Sequence, residues 1–441
     1  MTVTCHNGTR NTHEKSLATR FASGAYWSLL GAVVSRGVTL IATVLAARTL
    51  GAEGFGEIGM VQNTQGLFGV LAGAALGLAA TKFVAEYRSV DPMKASRCIL
   101  LTLLVSLIAG LLGAIALLIF VKPLAVSVLE APHLVTEMQL GTGLILFGAI
   151  NGVQSGALSG LGDFRAIAII NIVRGICLFC TLLIGVRWAG VMGGVIALVA
   201  TEFLAVCVSQ IALSETLPKR WQDAFKDASL FSELANMLRF SGFAIAASLA
   251  TTTAFWFANV LLVREEDGFI AMGVFNAAER WRQLLLFLPA TFSQLLLSML
   301  SNMHGQKESN GYRKLFTISL WINLAVVAVP TVGLALVASP AMNLFGADYK
   351  DGSTTLILLS ASTLGVVLNN ILGQVLISKG AMGWRFTMDV LLSGILCVVA
   401  WLLIPTWREQ GLALAYLISY GVTGIALIPF ANRYSKEAPG N

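Results

Sequence analysis

Four arginines lie inside segments that are otherwise apolar enough to cross a membrane: Arg36, Arg174, Arg280 and Arg282. A guanidinium at the middle of a membrane helix costs about 2.5–3.5 kcal/mol, so four that faced lipid would cost roughly 10–14 kcal/mol. We therefore expect them to face a hydrated interior, where four cations would suit an anionic ligand. The alternative is that each arginine pairs with a nearby carboxylate or extends its head group to the membrane interface.

Polar side chains recur at helical spacing on the same segments. In the eighth apolar segment, polar residues at i, i+3, i+4 and i+7 share one face, and shorter polar faces occur in the first, second, fifth and tenth segments. Hydrocarbon penalises bare amides as well as charges, so these faces indicate a polar interior. The glycines among the second segment's amides are equally consistent with close helix packing. The candidate ligand-binding residues are Arg36, Arg174, Arg280, Arg282, Gln62, Gln65, Asn276, Gln283 and Asn370.

Three carboxylates are candidates for coupling transport to an ion: Glu202, Glu279 and Asp389. Glu279 is also a candidate ion partner for its neighbour Arg280, whereas Glu202 is the more isolated carboxylate. Asp389 could instead cap the eleventh segment. Arg282 is expected to point about 120° away from the polar face of its segment, at 100° per residue.

The spans can be counted from the apolar runs, because 18–30 residues of helix cover about 30 Å of hydrocarbon. The chain is 56% hydrophobic with a mean hydropathy of +0.78, and its charges fall mainly between the runs. We expect an all-α integral membrane protein with twelve transmembrane helices, since lipid offers no partner to a bare backbone amide. The runs begin near Phe21, Glu57, Cys98, Gln139, Ala166, Val191, Phe240, Phe269, Leu315, Ser353, Phe386 and Leu412.

The basic residues predict the orientation. With the N-terminus inside, the inner segments would be 1–20, 82–97, 161–165, 213–239, 304–314, 378–385 and 431–441. By count these hold 19 of the 29 Lys and Arg, the opposite loops hold six, and the four buried arginines complete the total. This asymmetry predicts that both termini are cytoplasmic. The net charge of +6 suits a rim beside anionic lipids and does not require nucleic acid.

Several function classes are disfavoured by the loops. The inter-segment loops are too short for a catalytic domain, and they carry no nucleotide-binding P-loop. The Cys177–Cys180 pair lies in an apolar helix and is expected to pack rather than to bind metal or exchange electrons. No cleavable signal peptide is predicted. The sequence thus predicts no enzyme activity, no cofactor and no metal site.

The chain is predicted to consist of two halves. Residues 54–60 match residues 268–274 at an offset of 214, and 162–165 more loosely match 383–385. Six spans precede the segment 214–239, whose apolar periodicity predicts an amphipathic interfacial helix. The expected organisation is a disordered cytoplasmic tail (1–20), a six-helix lobe (21–213), the linker (214–239), a second six-helix lobe (240–430) and a tail (431–441), with a central cavity between the lobes.

Three short motifs carry a family resemblance. The stretch from Ala47 to Gly56 (ARTLGAEGFG) resembles the signature between the first two spans of Wzx-type polysaccharide and O-antigen flippases. The stretches from Lys82 to Tyr87 (KFVAEY) and from Gly160 to Phe164 (GLGDF) are also similar to that family. These flippases form the polysaccharide transporter branch of the multidrug/oligosaccharidyl-lipid/polysaccharide superfamily, whose members have a MATE-like fold.

The resemblance implies a bacterial inner-membrane protein that flips undecaprenyl-diphosphate-linked oligosaccharide to the outer leaflet. It implies membrane lipid as a second partner, and a polysaccharide polymerase and a chain-length regulator as further partners. Arginine forks bind phosphate bidentately, so we expect Arg36, Arg174 and Arg280 to meet the diphosphate. Amide side chains suit sugar hydroxyls.

Three alternatives remain open. A cation or drug antiporter of the same superfamily would need a cavity dominated by carboxylates, which the four arginines oppose. A membrane polysaccharide polymerase or ligase commonly has a large outer loop, which this chain lacks. A scaffold without transport activity is the third alternative.

Overall fold

The computed structural model describes residues 7–71, 74–88, 90–216, 230–305, 309–378 and 382–436. These residues form α-helices, short 3₁₀ and π turns and connecting turns, with no strand among them. The helices are α1 (Asn7–Leu71), α2 (Ala74–Tyr87), α3 (Pro92–Pro123), α4 (Val135–Leu140), α5 (Thr142–Leu161), α6 (Phe164–Thr216), α7 (Leu230–Val263), α8 (Gly268–Gly305), α9 (Ser309–Leu336), α10 (Ala338–Asn343), α11 (Ser353–Ser378) and α12 (Met382–Lys436).

Three of the long helices are hairpins that fold back at a break. Gly51 interrupts α1 with φ 73° and ψ −179°, a conformation essentially restricted to glycine. Arg36 and Gln62 line one cavity, although a straight helix would place them about 39 Å apart. Likewise, α6 folds back at a break at Ala189–Gly190, and α12 folds back at a break at Arg408.

The described helices agree with the twelve predicted passes. Among the described residues, eight runs are long and apolar enough to cross a membrane, and three of them are the hairpins, which contribute two passes each. That makes eleven passes. The helix α8, with 38 residues, is long enough for a twelfth, but it carries the charges of Glu279, Arg280 and Arg282 and is not among the eight apolar runs. The count of twelve therefore stays a prediction.

The outer surface is apolar, as lipid contact requires. Large side chains such as Trp188 (88% exposed), Leu336 (83%) and Val329 (74%) project from the helices rather than into the core. A soluble protein rarely exposes apolar patches of this extent. The chain is therefore a multi-pass membrane protein.

The motif between α5 and α6 has a local physical cause. Gly162 adopts φ 81°, and the amides of Gly162 and Asp163 donate to the carbonyls of Ser159 and Leu158, which closes the end of α5. The Asp163 carboxylate then accepts from the amide of Ala166 at 3.0 Å and starts α6. The Gly-Asp-Phe sequence thus ends one membrane pass and begins the next.

The two segments that matched in the sequence pack against each other. A Cβ at Gly56 would overlap the carbonyl oxygen of Phe269, and a Cβ at Gly273 would overlap that of Ala52. Backbone from the two halves therefore meets at this end of the molecule. The same end carries Gly51, Glu130, Asp267 and Tyr349, and we call it the loop-51 end.

Further contacts join the halves at the loop-51 end. The Tyr349 hydroxyl donates to the Gly51 carbonyl at 3.0 Å, and Arg48 Nε donates to the Leu344 carbonyl at 2.6 Å. Arg264 forms an ion pair with Glu130. Because each contact links one half of the chain to the other, this end is closed in the structure.

The expected N-terminal tail is helical from Asn7 onward, and part of the expected linker lies outside the described residues. The tail 1–20 was expected to be disordered, but residues from Asn7 onward belong to α1, since extending an existing helix adds a hydrogen bond for each residue. Residues 217–229 of the amphipathic linker lie outside the described residues, and Leu230 already begins α7. The domain boundaries and the interfacial helix stay predictions.

Candidate functional site

A cavity of about 350 Å³ lies where the first half of the molecule faces α8 of the second half. Three of the four expected arginines line it: Arg36 from α1, Arg174 from α6 and Arg280 from α8. The hairpins of α1 and α6 explain how residues far apart in sequence meet here. The other lining residues are Ser35, Thr39, Gln62, Leu144, Asn171, Leu178, Leu198, Thr201 and Glu202; we call this space the arginine compartment.

Arg36 and Arg280 connect the two halves across the arginine compartment. Arg36 Nη1 donates to the backbone carbonyl of Gln283 at 3.3 Å, and its guanidinium carbon lies 4.6 Å from the centroid of the Phe287 ring. In the reverse sense, Arg280 Nη2 from the second half donates to Gln62 Oε1 of the first at 3.0 Å. Both guanidinium groups therefore bridge the two halves through neutral acceptors, which do not compensate their positive charge.

Arg174 has an acidic partner. Its guanidinium forms an ion pair with Glu202, and Asn151 Nδ2 lies 3.4 Å from the second oxygen of that carboxylate. Glu202 was expected to be the more isolated carboxylate, and that expectation is wrong, because the α6 hairpin brings residues 28 positions apart into contact. The charged lining thus comprises three arginines and one carboxylate, which leaves two positive charges.

Arg282 lies elsewhere. It forms a bidentate ion pair with Glu279, with Nε–Oε2 and Nη2–Oε1 distances of 2.6 and 2.9 Å. Its guanidinium carbon is 5.2 Å from the Tyr416 ring centroid, and the residue is 8% exposed. The ion partner of Glu279 is therefore Arg282, not Arg280, and this pair packs into the second half away from the arginine compartment.

The remaining candidates are divided among several places. Asn276 is buried against Gly59 at the boundary between the halves, and Gln283 is exposed, with its amide 3.4 Å from Glu279. Asn370 is exposed on α11, whereas Asp389 pairs with Arg385 at 2.8 Å within α12. The structure brings Gln62 into the arginine compartment but none of these four.

Gln65 lines a second cavity of about 270 Å³ that shares Gln62, Leu144 and Glu202 with the first. Glycines from α1 and α5 form much of its wall: Gly66, Gly69, Gly148 and Gly152. We call this space the glycine compartment. The two compartments adjoin, and Glu202 faces both.

Sequence reasoning missed the amides of α5. Asn151 supports Glu202, and Gln154 Nε2 donates to Gln210 Oε1 at 2.9 Å. Both side chains are buried between α5 and α6. The sequence did contain a signal for them, because two amide side chains three residues apart in an otherwise apolar segment must find polar partners within a membrane.

Residues 21–304, more than half of the chain, match the family described as "Polysaccharide biosynthesis protein". The chain belongs to this family. Two curated relatives cover nearly the whole length. The chain is 22% identical over 421 residues to the EPS I polysaccharide export inner membrane protein EpsE of Ralstonia solanacearum, covering 92% of this chain and 89% of the relative. It is 23% identical over 415 residues to the lipid III flippase of Escherichia coli, covering 90% and 95%.

The fold of this polysaccharide biosynthesis family member is that of the MOP superfamily. A multidrug resistance MATE transporter of that superfamily, in an inward-facing conformation, superimposes with a TM-score of 0.75, at 15% identity, over 92% of this chain and 98% of the transporter. The expected MATE-like all-α fold is thereby confirmed, and the division into two six-helix lobes is consistent with it and stays a prediction. At this identity the likeness concerns the fold alone.

Proposed function

We propose that this protein is a flippase that moves undecaprenyl-diphosphate-linked oligosaccharide across the bacterial inner membrane for surface or extracellular polysaccharide synthesis. The arginine compartment carries the proposal, since it presents three guanidinium groups from both halves to one space. Its family and the names of its relatives, a polysaccharide export protein and a lipid III flippase, support transport in this pathway rather than catalysis.

The charge of the compartment suits a diphosphate. A guanidinium binds phosphate through two parallel hydrogen bonds and stays charged at any working pH. Each charge pair is worth about 4 kcal/mol at 4 Å and an effective dielectric of 20. Two excess positive charges attract a diphosphate and repel the cationic substrates that an antiporter would carry.

Alternating access fits the positions of these groups. Arg36 and Arg280 each reach across to the opposite half, so a ligand that takes over their hydrogen bonds would change how the halves are held together. The contacts of Tyr349 and Arg48 would have to break for the loop-51 end to open. The lipid tail would stay in the bilayer during the passage, with polymerase and chain-length regulator proteins as downstream partners.

The decisive experiment is deletion of the gene. The lipid-linked glycans are then extracted, and their leaflet is probed with a membrane-impermeant glycan-cleaving enzyme. We expect undecaprenyl-diphosphate-linked oligosaccharide to accumulate on the inner leaflet and surface glycan to fall. Unchanged outer-leaflet glycolipid together with lost efflux of cationic dyes would favour the antiporter instead.

The orientation is tested by reporter fusions. Fusions after Arg97, Arg220 and Lys314 should report cytoplasm, and fusions near Pro132 and Glu266 should report the outside, because basic residues favour the inner face. The loop-51 end, which carries Pro132 and Glu266, would then face outward. A cytoplasmic signal from both of these outer positions would reject the twelve-pass orientation.

Glu202 should oppose ligand binding, because its carboxylate occupies Arg174 and repels a diphosphate. We expect Glu202→Gln to bind undecaprenyl diphosphate at least about tenfold more tightly, equivalent to about 1.4 kcal/mol, and to transport more slowly because release is slower. Affinity is measured with purified protein in nanodiscs. The control is Glu53→Gln, which removes an exposed carboxylate outside the compartment. Weaker binding by Glu202→Gln would mean that Glu202 chiefly positions Arg174.

A further inference from the structure

The glycine compartment is held open by the absence of side chains. At Gly66, Gly69, Gly148 and Gly152, a Cβ atom would meet nothing within 4 Å. Glycines that serve helix packing in this protein behave differently: a Cβ at Gly156 would overlap the backbone of Gly77. The four compartment glycines are therefore not explained by close approach of helices, and they leave free volume beside the arginine compartment.

The polar groups of the glycine compartment suit a neutral ligand that carries hydroxyl groups. Among its described lining residues there is no lysine or arginine, and the one charged group is the carboxylate of Glu202. A carboxylate accepts hydrogen bonds from hydroxyl groups and repels phosphate. The amide of Gln62, which both compartments share, offers a donor and an acceptor.

Gln65, which lines the glycine compartment, carries a buried amide whose hydrogen-bonding groups are unused. The residue is 3% exposed, and neither its Oε1 nor its Nε2 has a hydrogen-bond partner among the described residues. A buried amide without partners is costly, and folded proteins rarely tolerate one without a reason. The amide end lies against Gly141, where a Cβ atom would overlap Nε2, so the side chain would rotate toward the compartment to form hydrogen bonds with a hydroxylated group there.

We propose that the glycine compartment binds the sugar ring directly attached to the diphosphate, so that the two adjoining compartments together recognise a glycosyl diphosphate. The proposal rests on the proposed function, which places the diphosphate at Arg36, Arg174 and Arg280. Its volume of about 270 Å³ is near the lower end of ligand pockets and suits one ring rather than a chain. Gly148 and Gly152 are then specificity-determining residues, because any side chain there would occupy the place of the sugar.

The test compares lipids with and without a sugar. Purified full-length protein in nanodiscs is titrated with undecaprenyl diphosphate and with the same lipid carrying glucose, galactose or N-acetylglucosamine. For the wild-type protein we expect at least one glycosylated lipid to bind fivefold or more tightly than the bare lipid. The ratio of the affinity for the glycosylated lipid to the affinity for the bare lipid should fall to about one in Gly148→Leu and Gly152→Leu. The affinity for undecaprenyl diphosphate itself should change less than twofold.

Two further variants separate a sugar contact from a structural effect. Gly394→Leu, on an exposed position of α12 where a Cβ also meets nothing within 4 Å, should keep the wild-type ratio. Gln65→Leu should lower the ratio without lowering the melting temperature, since it removes an unpartnered buried amide. A structural role alone would lower the melting temperature and leave the ratio intact.

The outcomes distinguish this inference from the proposed function. If the wild-type protein binds none of the four lipids, the proposed function itself fails. If it binds undecaprenyl diphosphate but no sugar improves binding, or if the leucine variants keep the wild-type ratio, the sugar site is rejected and the diphosphate site stands. Gly148→Ala and Gly152→Ala, which add one methyl group in free space, provide milder versions if a leucine variant does not fold.

Discussion

Replacing Arg280 with alanine should abolish glycan export while the protein still inserts into the membrane. Among the described lining residues, Arg280 is the one arginine contributed by the second half. Its hydrogen-bond partner, Gln62, is neutral and belongs to the first half. Its charge is therefore available to a diphosphate. Hydrogen bonds to charged groups contribute about 1.5–3 kcal/mol each, so loss of a bidentate contact should lower affinity by at least about a hundredfold.

The lysine variant separates charge from geometry. Arg280→Lys keeps the positive charge but loses the planar fork that binds two phosphate oxygens at once, so we expect partial export. Export is measured as surface glycan at native expression, with membrane insertion checked by immunoblot. Arg187→Ala, which removes an exposed arginine outside the cavity, is the matched control and should export normally. Normal export by Arg280→Ala would remove this residue from the site.

Local chemistry made much of the fold predictable. Apolar runs of sufficient length must be helical in lipid, and the breaks between them fall at residues such as Gly51 and Gly162 that can adopt positive φ. All four arginines were expected to face a polar interior, because a charge in a membrane needs polar surroundings; three of them line one cavity, and Arg282 pairs with Glu279 instead. The cavity that Arg36, Arg174 and Arg280 line agrees with that reasoning, although their contact with a ligand stays a prediction.

The carboxylate partner of each buried arginine was harder to predict when it lies on another pass, because the pairing depends on how the helices are rotated and packed. The pair of Glu279 with Arg282 could have been expected, since residues at i and i+3 share a helix face whereas Glu279 and its direct neighbour Arg280 do not. The pairing of Arg174 with Glu202 depends on where the α6 hairpin turns. The glycines of α1 and α5 also gave no local sign of whether they face a helix or a cavity, since a glycine stripe is consistent with both.

The pair of Glu279 and Arg282 gives the largest expected effect on stability. Both side chains are largely buried, at 18% and 10% exposure, and the guanidinium also lies beside Tyr416. Replacing Glu279 with alanine leaves a buried guanidinium without its counter-charge, which typically costs about 3–5 kcal/mol. We expect a markedly lower melting temperature of the purified protein, with export lost as a consequence of instability.

A double variant shows whether the charges of this pair have a role beyond stability. Glu279→Met with Arg282→Met replaces the buried pair by apolar side chains of similar length, an exchange that is often neutral or stabilising. If the pair is structural, this variant should recover most of the melting temperature and also export. Arg264→Ala, which breaks the exposed pair with Glu130, should change stability by no more than about 1 kcal/mol. A stable double variant without export would instead show that transport needs a charge of this pair, on Glu279, on Arg282 or on both, because the packing would then be intact and only the two charges missing.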